Sequence, residues 1–139
     1  MPTLELRPLR GWLSDEQLEA LDASSLLRDV RDEVERDILL EGINEVALEE
    51  FLERLAADAA SLYLPCPPVE VFEFEGVRIG SARSLLVRLE TLRDELELDV
   101  PVDERTRSLA AQRSLWKAMK EGARELLETG QVLVIEGWP

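Results

Sequence analysis

Hydrophobic side chains recur at helical spacing over most of this chain, and the period changes to that of a strand in two places only. Ser14-Asp15-Glu16-Gln17 has the form of a capping box, a hydroxyl at the N-cap and an amide three residues on. With Leu18 and Leu21 behind it, and Leu13 placed to staple against Leu18, it predicts a short helix ending near Ser24-Ser25. Leu26, Leu27, Val30, Val34 and Ile38 share one arc at 100° per residue, which predicts a second helix from about Leu26 to Glu41, stopped by Gly42. Arg28–Asp32, Arg31–Glu35 and Asp32–Arg36 would then pair along its outer surface. A third helix is expected from the N-cap Asn44 to about Leu64. Its apolar side runs from Leu48 and Phe51 to Leu62 and Tyr63, and Ala56, Ala59 and Ala60 would let another helix approach. Pro65-Cys66-Pro67-Pro68 ends it.

Beyond the prolines the pattern turns strand-like. Val69–Glu75 and Val77–Ile79 flank Glu75-Gly76, and a tight two-residue loop there would set Phe74 opposite Val77, Glu73 opposite Arg78 and Phe72 opposite Ile79. That register gathers four apolar side chains on one face and an opposite-charge pair on the other. Gly80-Ser81 leads into a fourth helix, about Ala82 to Leu98, with a stripe of Leu85, Leu89, Leu92 and Leu96. Asp103 is placed to cap a last helix ending near Thr129-Gly130, and Gln131–Glu136 reads as a strand buried on both faces. A lone hairpin is marginal, so this strand is expected to pair with it. The fold expected is α+β and mainly helical. It has five helices and a small antiparallel three-stranded sheet (hairpin 69–79 plus strand 131–136) in a single domain, 1–139.

Composition changes the picture by what it removes. There is no histidine and one cysteine, Cys66, in 139 residues. Ser-His-Asp and Cys-His catalysis, histidine-containing zinc sites, intrachain disulfides and CxxC motifs are therefore excluded. The formal charge is −14. Residues 1–64 carry 16 acids and 6 bases, net −10, and residues 65–139 carry 14 acids and 10 bases, net −4. Such a field opposes binding to nucleic acid or anionic lipid and suits a basic protein partner or imitation of nucleic acid. Only Lys117 and Lys120 are lysines against 14 arginines, a bias that points to the host genome as readily as to a binding site. No secretion signal or membrane-length apolar run stands in the sequence, so a cytoplasmic location is expected.

Two clusters are candidates for chemistry. The run Glu49-Glu50-x-x-Glu53 resembles the first half of the metal motif in MazG-like all-α nucleotide pyrophosphohydrolases. There, a second Glu-x-x-Asp on the next helix completes an oxygen-ligand magnesium site. The resemblance covers about five residues: Glu70 and Glu73 follow in a strand, and Glu90-Thr91-Leu92-Arg93-Asp94 has a different spacing. Carboxylates alone can hold magnesium, so Glu49, Glu50 and Glu53 define a hydrolase alternative; a solvated helix face is the plainer reading. Arg113, Lys117, Lys120 and Arg124, at i, i+4, i+7 and i+11, form a basic ribbon beside Leu109, Trp116, Met119, Ala123 and Leu127. It reads as an anion or acidic-partner site, or as long stems packed beside the acidic first half. Cys66 has no base to activate it and reads as a small buried hydrophobe. Trp12, Trp116 and Trp138 suit either burial or docking.

The function expected by elimination is a non-enzymatic cytoplasmic interaction module, such as an adaptor, chaperone, inhibitor or immunity-type factor, without a cofactor and with a protein partner, possibly basic. A magnesium-dependent hydrolase and a nucleic-acid mimic are the alternatives. Two leucine-rich helix faces exceed what a three-stranded sheet can cover, so a homodimer is also expected.

Overall fold

The hairpin forms in the register expected. In the structure, a computed structural model that describes residues 2–9, 13–22, 26–31, 35–101, 103 and 107–137, Phe72 pairs with Ile79, Glu73 with Arg78 and Phe74 with Val77. Glu75 (φ 51°) and Gly76 (φ 83°) both take the left-handed conformation that a two-residue turn between twisted strands requires. A Cβ at Gly76 would meet nothing within 4 Å, so Gly76→Val probes backbone conformation alone. It is expected to lose at least about 1 kcal/mol in chemical denaturation, whereas Glu75→Asn should gain about 0.5 kcal/mol.

Around this hairpin the architecture departs from the expected one. Four helices and a six-stranded mixed sheet, among the described residues, replace five helices and a three-stranded antiparallel sheet. In chain order these are β1 (Thr3–Arg7), α1 (Asp15–Asp22), β2 (Asp37–Leu40), α2 (Glu45–Leu55), a 3-10 turn (Ala56–Asp58) and β3 (Leu62–Leu64). Then come β4 (Phe72–Phe74), β5 (Val77–Ser81), α3 (Ala82–Thr91), a 3-10 turn (Arg107–Leu109), α4 (Ala110–Thr129) and β6 (Val132–Glu136). The strand order is β2-β1-β6-β3-β5-β4, antiparallel throughout except for the parallel pair β3–β5.

Each departure has a physical cause. The helix expected over 26–41 does not form: 26–29 is a turn, and Asp37–Leu40 pairs with β1, which also lay outside the expected elements. Pairing with β1 satisfies a row of backbone groups that helical periodicity could not supply, and Ile38 is left 43% exposed at the sheet edge. Glu5, fully buried in β1, accepts from Arg36 Nε (3.0 Å) and Nη2 (2.7 Å) and from Arg7 (3.3 Å). Its carboxylate holds the chain entering β2. The expected pair Arg31–Glu35 does not form, and the expected pairs Arg28–Asp32 and Asp32–Arg36 involve Asp32, which lies outside the described residues.

The third helix stops at Leu55 instead of Leu64. Alanine favours helix at Ala56–Ala60, but Leu62-Tyr63-Leu64 is fully buried between β6 and β5, and the sheet overrides propensity. The C-terminal strand is central, as its four consecutive apolar residues imply. It pairs with β1 and β3, so β3 separates it from the hairpin.

The sheet has two apolar faces. Leu4, Leu6, Tyr63, Leu133 and Ile135 meet α2, α3 and α4 on one side. Leu62, Leu64, Ile79, Val132 and Val134 meet Leu13, Leu18 and Leu21 and the 26–30 segment on the other. The capping box forms reciprocally, with Ser14 N–H donating to Gln17 Oε1 (2.8 Å) and Gln17 N–H to Ser14 Oγ (3.2 Å). Asn44 caps α2 through Ala47 N–H (3.0 Å). Leu85, Leu89, Leu92 and Leu96 are all fully buried, as are Met119 and Ala123. Both stripes are thus covered inside one chain, which removes the premise on which a homodimer was expected. No described helix is long and apolar enough to cross a membrane.

Candidate functional site

The two charged clusters of the sequence meet different fates. Arg113 is buried inside the fold: its Nε donates to the Leu96 carbonyl (2.8 Å), Nη1 to Val100 (2.9 Å) and Nη2 to Glu97. These carbonyls belong to the turns that follow α3. Past Thr91 the chain continues as irregular turns and closes with Leu98 N–H on Arg93 O (3.0 Å) and Glu97 N–H on Asp94 O (3.2 Å). Glu97 there stands at φ 50°, where glycine is usual. Lys120 pairs with Glu90 (2.9 Å) and lies 4.7 Å from the Trp116 ring centroid, whose Nε1 donates to Leu89 O (2.7 Å). The hydrogen bond that Glu90 accepts from Lys120 Nζ holds its carboxyl below the usual range. Among the described residues, Lys117 and Arg124 are exposed and make no hydrogen bond or ion pair, though Arg124 contributes to the field at Glu90. Half of the ribbon is therefore internal structure: Arg113 and Lys120 clamp α4 to α3 and to the turns that follow it. Asp103 lies upstream of α4, whose N-cap is Leu109.

Cys66 is buried, burial pushes its thiol up, and its carbonyl accepts from Ser81 Oγ (3.1 Å). Trp12 and Trp138 lie outside the described residues.

The acids of α2 do reach a concave site. Glu49 and Glu53, one turn apart, stand on the wall of an open groove of about 480 Å³ with Leu52, Ala56, Ala59, Ala60, Ser61 and Arg78. Neither carboxylate makes an ion pair or hydrogen bond among the described residues. Glu50 turns instead toward α4 and accepts from Gln112 Nε2 (2.9 Å), whose Oε1 accepts from Arg54 (2.9 Å). The three acids of the metal-motif resemblance are thus divided between two surfaces. No group of three or more Asp, Glu or Cys among the described residues is placed to hold a metal ion. The all-α fold that the resemblance implies is also absent.

The groove floor is built with care. The Tyr63 hydroxyl donates to Asp58 O (2.8 Å) and accepts from Ala60 N–H (2.9 Å), and burial drives the phenol well above its ordinary range. Its ring lies over Gly80, where a Cβ would approach within 3.1 Å. Arg78, the one cation on the wall, gives its Nε to Ala59 O (3.2 Å). Ala56 holds φ 53° and ψ −119°, a conformation that only glycine adopts easily. Ala56→Gly should therefore raise stability by about 1 kcal/mol, strain relief exceeding the added chain entropy of glycine. Urea unfolding measures it, and a loss would show that the Ala56 methyl is held by packing.

The sequence marked Glu49 and Glu53 but not the groove. Its signal was the alanine run Ala56–Ala60 directly after them, which was read as a helix contact. The chain is thus a helix-covered mixed-sheet protein with an acid-rimmed groove. No family model, no curated protein and no solved structure matches it.

Proposed function

We propose that this chain is a non-catalytic interaction module that receives an arginine- or lysine-bearing segment of a partner protein in the α2–β5 groove. The observation that carries the reading is the pair Glu49 and Glu53, two carboxylates without intrachain partners above a floor of Leu52, Ala56, Ala59 and Ala60. A guanidinium between the carboxylates would gain charge-assisted hydrogen bonds, and its stem would cover the alanines. The overall charge of −14 adds long-range attraction for a basic partner.

The test is an NMR titration of the full chain with a peptide alternating arginine and alanine, against its citrulline analogue. Saturable shifts at Leu52, Ala56 and Ala60, lost with citrulline and weakened at least tenfold in E49Q/E53Q, are expected. Shifts spread over α1, or unchanged in the double variant, would overturn the reading.

A further inference from the structure

A second recess carries the reverse charge. It has a volume of about 300 Å³ and is lined by Arg28, Asp29, Arg31, Pro65, Arg83, Leu127, Glu128 and Gly130. Three arginines against Asp29 and Glu128 leave a local charge of +1, in a chain whose total is −14. Among the described residues, Arg7, Arg36, Arg54 and Arg93 each pair with a carboxylate. Arg28, Arg31 and Arg83 do not. Among the described residues none of the three side chains makes an ion pair or hydrogen bond, although two carboxylates line the same recess.

The backbone around it is tightly determined. Arg31 N–H donates to Gly130 O (2.7 Å), and Gln131 Nε2 donates to Glu35 O (2.6 Å), which stitches the 29–35 segment to the α4–β6 turn. A Cβ on Gly130 would lie 2.8 Å from Asp29 O and 2.7 Å from Arg31 Cγ. Ser81 Oγ accepts from Arg83 N–H (3.2 Å), placing Arg83 at the α3 N-terminus. The arginines come from two separate segments onto one rigid recess.

We propose that this recess binds a phosphate group, as free phosphate or as a small phosphomonoester. Guanidinium forks match the oxygens of a tetrahedral dianion bidentately, and three of them can neutralise it. At physiological ionic strength the Debye length is about 8 Å, so the remote acids are screened and the local arginines decide the field.

The probes are inorganic phosphate and glycerol 3-phosphate, titrated into the labelled full chain at constant ionic strength in potassium chloride. Saturable shifts at the Arg31, Arg83 and Gly130 amides are expected, with at least tenfold weaker binding in R83Q and in R28Q/R31Q. Tighter binding of the ester would assign the remaining volume to a substituent, and equal binding would assign the site to the free ion. Chloride that reproduces the shifts, or variants that retain phosphate binding with an unchanged melting midpoint, would overturn the proposal. The groove variant E49Q/E53Q should bind phosphate as the parent chain does, which separates this site from the groove.

Discussion

Arg113→Met is expected to lower the unfolding free energy by about 3 kcal/mol, the largest loss from any polar side chain in this fold. Each hydrogen bond from a charged donor contributes about 1.5–3 kcal/mol, and removing the donor leaves three acceptors to find water. The Leu96 bond is buried and the Glu97 and Val100 bonds are only partly so, and water replaces part of each, which places the net loss below simple addition. Arg113→Lys should recover less than half, because one ammonium cannot reach three carbonyls as a planar fork does. Urea denaturation measures both, and amide exchange should localise the loss to residues 92–100. A lysine variant as stable as the parent would mean that charge alone, and not the fork, holds this turn.

Gly130→Ala should be comparably severe, about 3 kcal/mol. Gly130 ends α4 at φ 80°, and its N–H closes the helix on Leu126 O (2.8 Å). A left-handed alanine costs about 1–2 kcal/mol on its own. Here the new methyl also meets the Asp29 carbonyl at 2.8 Å, a backbone atom tied in place by the Arg31 hydrogen bond. Gly130→Asn separates the two effects, since asparagine tolerates the left-handed region but keeps the Cβ. Asparagine no better than alanine in thermal melting would show that the collision dominates; full recovery would show that φ does.

Single features of the candidate sites were legible before any fold was known, but their grouping was not. Glu49 and Glu53 share a helix face by spacing alone. Whether that face ended in water or beside a groove depended on Ala56 leaving the helix, which its propensity opposes. Arg113 stood in an apparently continuous basic ribbon, yet its guanidinium is drawn inward by carbonyls about fifteen residues earlier in the chain. The arginine recess left no trace in the sequence, because Arg28 and Arg31 are brought to Arg83 only where Arg31 and Glu35 are tied to the α4–β6 turn.

By itself, the sequence determined the elements whose signal is local. The Glu75-Gly76 hairpin and its register, the capping box at Ser14, the caps at Asn44 and Gly130 and the start of α3 at Ala82 all rest on contacts within a few residues, and the burial of β6 is signalled by its four consecutive apolar side chains. The tertiary structure alone decided β1, β2 and β3. These strands are three to five residues long, and their backbone groups find partners only across the sheet. In 37–40 and 62–64 helical periodicity was present and lost, because pairing and burial in a six-stranded sheet outweigh the fraction of a kcal/mol per residue that helix propensity supplies.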